Sequence, residues 1–178
     1  MAEAYRKYSA DKHGEWGGDD CALSALIRIA DFLCDHAGAR FTSCGFGRTI
    51  AGGNATNGTE LCCALEALPE ILKWLYQPSY PTCQLDFFEQ GVELFITISA
   101  VNETELDLEG RTMLEGPLDP VHERISRLKF QAMMNDLYRT FIQAVEACCP
   151  QELTNPWLLD EWINGCMPYA GAVQRASL

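Results

Sequence analysis

Between Thr82 and Glu109 the chain alternates apolar and polar residues in three runs joined by very short connections, a pattern that leaves few folds open. Thr82–Phe88 and Val92–Ala100 are separated by Glu89-Gln90-Gly91, a three-residue hairpin loop with glycine where a positive φ is wanted. Asn102-Glu103 turns the chain again into Thr104–Glu109. Connections this short join antiparallel neighbours, so the runs predict a β-meander. Alternation sorts its faces. Cys83, Leu85, Phe87, Leu94, Ile96, Ile98, Leu106 and Leu108 point to a core. Asp86, Phe88, Glu93, Phe95, Glu105, Asp107 and Glu109 point away from it, with Gln84, Thr97 and Ser99. A register slip of one residue would exchange the two sets.

A sheet with one apolar face needs cover, and the flanking segments read as helices. Leu23, Leu26, Ile27, Ala30 and Cys34 recur at helical spacing after Asp19-Asp20, with Gly38 as a stop, which predicts a helix over 20–36. Arg40–Phe46 reads as a short strand and Gly47–Gly58 as loop. Thr59 caps a second helix, with Leu61, Leu65, Leu68, Leu72 and Leu75 in one stripe. Pro69 predicts a kink or break in it, and Pro78 and Pro81 end it. Asp119-Pro120 reads as the start of the longest helix, Val121–Cys149, packed centrally on the sheet and closed by Pro150. Asn155-Pro156 starts a last short helix that Gly165 closes; Trp157 and Trp162 read most simply as core, and their separation of about 140° around the helix leaves room for one to be exposed.

The expectation is α+β: one domain over residues 19–167, with a small antiparallel meander packed against several helices. Residues 1–18 read as a mobile arm and 168–178 as a tail. A chain of 178 residues buries a sufficient core without staples. No apolar run reaches the length of a membrane span, and Met1–Gly18 lacks the apolar stretch of a secretory signal, so a cytoplasmic location is expected. On that reading the nine cysteines are reduced thiols, mostly small apolar groups on helices.

Charge narrows function. Acids outnumber bases 25 to 13, for a net charge of −12. Such a field repels nucleic acid and anionic membranes and favours a basic partner. From Gln84 to Asp119 nine acids face one base, Arg111, whereas Arg124, Arg127, Lys129 and Arg139 follow on the predicted long helix.

Specific catalytic motifs are missing. Cys62-Cys63 and Cys148-Cys149 lack the spacing that closes two thiolates on one zinc ion. Cys44, before Gly45-Phe46-Gly47, has the look of a nucleophile on a tight turn but no flanking motif, and His13, His36 and His122 are the only imidazoles. Carboxylates on alternate strand positions lie about 7 Å apart, a spacing that a glycosidase pair or a divalent metal could use. An open face with Thr and Ser neighbours reads instead as solvated or protein-binding. No cofactor is expected.

In layout and charge the chain resembles the small acidic immunity proteins that bacteria make against their own contact-delivered or polymorphic toxins. The features shared are the leucine-striped helix (Leu61–Leu75), the meander (Cys83–Glu109), the long helix and the Trp-bearing C-terminus. The resemblance implies a non-enzymatic inhibitor that covers the active site of a basic toxin domain, often a nuclease. Asp86, Glu93, Glu105, Asp107 and Glu109 would then steer the partner, and Phe88 or Phe95 would anchor it. Two alternatives stay open. One is a small enzyme using the carboxylates or Cys44. The other is a dimeric structural or regulatory module sealed by apolar helices.

Overall fold

The structure, a computed structural model, describes residues 1–12, 21–51, 58–78, 80–87, 94–112 and 120–170. Its elements are α1 (Ala2–Lys12), α2 (Ala22–Asp35), β1 (Ser43–Gly45), β2 (Arg48–Ala51), α3 (Gly58–Tyr76), β3 (Thr82–Phe87), β4 (Leu94–Ala100), β5 (Glu105–Thr112), β6 (Val121–Ser126), α4 (Arg127–Cys148) and α5 (Asn164–Ala170). A 3₁₀ turn, Pro150–Thr154, and a π-helical stretch, Leu158–Ile163, link α4 to α5.

The four-stranded sheet runs β3-β4-β5-β6, every pair antiparallel. The alternation of the sequence appears directly as burial. Leu85, Phe87, Leu94, Ile96, Ile98, Leu106 and Leu108 are buried on one face, and Cys83 is half-buried beside them. Asn102 fixes the β4–β5 turn: its Oδ1 accepts from the backbone N–H of Thr104 at 2.8 Å and of Glu105 at 2.9 Å.

The sheet has one strand more than expected. Val121–Ser126, read as the start of the long helix, forms edge strand β6, so that helix begins at Arg127. Ser126 caps it, accepting from the Lys129 N–H at 3.3 Å. Pro120 thus precedes a strand, a position where its missing N–H costs no ladder bond.

The central helix is α3 and not α4. Ala64, Ile71, Trp74 and Leu75 of α3 pack on the sheet with Phe130 of α4. Leu61, Leu65, Leu68 and Leu72 turn the other way, into a second core with α2, Phe141 and Val145 of α4, and Leu158, Trp162 and Cys166. The apolar stripe therefore faces the helices as far as Leu72, and its last member, Leu75, joins a second set of apolar residues that faces the sheet. The helix is continuous across Pro69. Arg127 Nη1 and Gln131 Nε2 donate to the Leu75 carbonyl at 3.2 and 3.4 Å, tying the C-terminal end of α3 to α4.

Other expectations need correction. The first part of the expected arm is helix α1, because Tyr5 is fully buried against the Phe32 ring, with centroids 4.9 Å apart. Residues 13–18 lie outside the described residues, as do Asp19 and Asp20; Cys21 holds the N-cap position of α2. Gly38, at φ 71°, does end α2. The strand expected over 40–46 is shorter, and part of the expected loop is its partner: β1 and β2 form a hairpin turned by Phe46 (φ 53°) and Gly47 (φ 71°). Gly165 does not close the last helix, which runs on to Ala170; a Cβ there would lie 3.2 Å from Pro69 Cβ, so glycine permits close approach to α3. Trp162 is buried and Trp157 exposed. Residues 171–178 lie outside the described residues.

Candidate protein-binding face

The helices pack on one face of the sheet, and the candidate residues lie on the other. Asp86 stands opposite Phe95, and Phe95 opposite Arg111. Thr97, Glu109 and His122 form a second cross-strand row, and Ser99, Asp107 and Arg124 a third. Glu105 stands opposite Ser126. Asp86 and Glu105 are exposed, whereas Phe95, Asp107 and Glu109 are half-buried. Phe88 and Glu93 lie outside the described residues. The structure thus brings Asp86, Phe95, Glu105, Asp107 and Glu109 onto one surface, in the register that the alternation implied.

Sequence reasoning missed the basic side of this surface. Arg111 joins it because β5 continues past Glu109, and β6 adds His122 and Arg124. Only the polar alternation of His122, Arg124 and Ser126 signalled β6, and Asp119-Pro120 masked it. His122 Nδ1 lies 2.9 Å from Asp107 Oδ2, which corrects the placement of His122 in a helical turn. Arg111 Nε donates to Glu109 Oε1 at 2.5 Å, and Asn102 Nδ2 donates to Glu105 Oε2 at 3.1 Å. The face is therefore mixed in charge: the carboxylates of Glu105, Asp107 and Glu109 on β5 stand beside Arg111 on the same strand and Arg124 on β6. Opposite charges directly across strands support the sheet modestly, by about 0.2–1 kcal/mol a pair. They also lower the field that an uncompensated acidic patch would project.

Among the described residues, no group of three or more His, Cys, Asp or Glu side chains comes together in metal-holding geometry, and no helix is long and apolar enough to cross a membrane. All nine cysteines are thiols. Cys44 is exposed on β1, and Cys62, Cys149 and Cys166 are buried. Burial pushes the Cys149 and Cys166 thiols up to about 12, and the neighbouring Glu152 adds to the shift at Cys149. His36 packs against the rings of Tyr8 and Phe32, with centroids 4.9 and 5.5 Å away.

A second polar group is buried far from the sheet face. Glu152, in the 3₁₀ turn, accepts from Tyr5 Oη at 2.9 Å and from Asn155 Nδ2 at 3.1 Å, and lies 3.9 Å from Arg28 Nη2. Arg28 is 3% exposed and Glu152 7%. The group joins α1, α2 and the segment after α4, and no periodicity announced it. Its low exposure makes it a clamp and not a site.

Comparison with family models, curated proteins and solved structures found no match to this chain.

Proposed function

We propose that the outer face of the sheet docks a basic protein, and that the chain is a non-enzymatic inhibitor of the immunity-protein kind, covering the working site of a toxin domain. One observation carries the reading. Glu105, Asp107 and Glu109 stand at alternate positions of an inner strand, beside half-buried Phe95, on the sheet face opposite the helices. A flat strand surface with an aromatic group and fixed charges suits a protein partner better than a small substrate, which needs concavity. The overall charge of −12 speeds capture of a cation-rich partner. Arg124 adds selectivity, because a partner must bring an acid to one flank of its basic patch.

The test pairs affinity capture at low salt from the native cell lysate with charge reversal. The Glu105→Lys/Asp107→Lys variant should bind the captured basic protein at least about tenfold more weakly, and should remain folded with only the modest stability loss expected from the broken cross-strand pairs. Equal affinity for both proteins at low salt would remove the face from the interface.

A further inference from the structure

Among the described residues, the two edges of the sheet differ in kind. Edge strand β6 carries His122, Glu123 and Arg124 in succession, the sort of charged edge that resists pairing with another chain. Edge strand β3, Thr82-Cys-Gln-Leu-Asp-Phe, carries one charge, has no internal proline, and pairs with β4 without a bulge from Thr82↔Ser99 to Phe87↔Leu94. Beside it runs a surface groove of about 500 Å³, lined by Thr82, Cys83 and Gln84 and by Glu70, Lys73 and Trp74 of α3. Thr82, Gln84 and Asp86 are exposed.

We propose that β3 pairs with β3 of a second copy of this chain, antiparallel about a two-fold axis through Gln84, to make one eight-stranded sheet. The sequence of β3 is self-complementary in that register. Gln84 meets its own copy, amide to amide. Cys83 faces Leu85 on the core side, and Thr82 faces Asp86 on the outer side, hydroxyl to carboxylate. Paired residues have the same parity along the strand, so inward and outward faces match from Thr82 to Asp86; beyond them Phe87 would meet Pro81, which offers no N–H and ends the pairing. The charged pair lining the groove, Glu70 and Lys73, is of opposite sign and 3.9 Å apart, so a second copy meets no like-charge wall. The same two-fold on β6 sets Arg124 against Arg124, or Glu123 against Glu123, which singles out β3.

The test is solution mass against concentration, with two substitutions at the axis. The intact chain should weigh twice its 19.8 kDa at ~100 µM, and the dimer should tighten with salt as its own charge is screened. Gln84→Lys, which sets two ammonium groups face to face at an exposed position, should weaken the dimer at least about tenfold while leaving the far-UV circular dichroism of the folded chain unchanged. Gln84→Cys should link two chains by a disulfide on mild oxidation, because directly opposed residues are about 4.5–5.5 Å apart between Cα atoms. In a Cys21→Ser/Cys44→Ser background, which removes the exposed native thiols, Asp86→Cys and the otherwise unsubstituted chain should not link. A monomer throughout that range overturns the proposal. So does a dimer indifferent to Gln84→Lys, which would place the seam elsewhere, such as on a helix face.

Discussion

The indole N–H of Trp162 donates to the carbonyl of Leu65 at 2.6 Å. Leu65 stands four residues before Pro69, so its carbonyl is the one that proline's missing N–H leaves without a helical partner. The π-helical stretch carries Trp162 to that carbonyl, and Gly165 lets the following turn close on the proline ring. The expected break in α3 is thus repaired by a side chain 97 residues away.

Trp162→Phe should cost about 1–3 kcal/mol in urea unfolding, because it leaves a buried carbonyl unsatisfied. In a Pro69→Ala background, where the backbone regains the N–H that proline lacks, the same substitution should cost less. Equal losses in the two backgrounds would show that the indole acts by packing alone.

The Glu152 clamp predicts a graded response. Tyr5→Phe removes one hydrogen bond and should cost about 1–2 kcal/mol. Glu152→Ala removes one carboxylate from Tyr5, Asn155 and the buried Arg28 together and should cost more than Tyr5→Phe, about 2–4 kcal/mol. Denaturant midpoints of the two variants check the order.

Gly110 lies under the Phe46 ring, and a Cβ there would fall 2.9 Å from two ring atoms and 3.1 Å from Val121 Cγ2. Gly110→Ala should destabilise the protein by about 1–3 kcal/mol. Adding Phe46→Ala should recover part of that loss, and melting curves of the single and double variants would show whether it does.

Buried thiols set an alkaline limit. Cys149 and Cys166 sit at about 12, above the ordinary value near 9, so the native state keeps protons that the unfolded chain releases. Their contribution is complete below about pH 9 and fades toward pH 12, at up to about 1.4 kcal/mol per pH unit for each thiol. Urea midpoints between pH 8 and 10.5 should fall less steeply for Cys149→Ala/Cys166→Ala than for the wild type. Cys21 differs: it is exposed, and the hydroxyl and backbone N–H of Ser24 hold its thiol below the usual range. Iodoacetamide at neutral pH should label Cys21 well before Cys149 or Cys166, which peptide mapping would reveal.

The sheet was legible because period-two alternation records burial directly, and Leu94, Ile96 and Ile98 left no choice of face. The outer residues Asp86, Phe95, Glu105, Asp107 and Glu109 followed from the same rule. The missed strand, β6, is an edge whose inward side is only partly covered, so Val121 and Ile125 supply too little apolar signal to outweigh a helix-like Asp-Pro start. Helix α1 escaped notice because Tyr5 and Tyr8 do the docking on an otherwise polar segment. The hairpin turn was hidden because phenylalanine rarely takes a left-handed conformation, and the nearby glycines drew the loop reading. Nothing singled out Arg28 and Glu152, since sequence does not show that two distant ions will meet in the interior.

Tyr5 and its acceptor Glu152 are separated by 147 residues. On a ribosome Tyr5 therefore emerges well before the group that anchors it. Until then the Tyr5 ring lacks its acceptor, and a nascent chain stalled short of Glu152 leaves that tyrosine to chaperones.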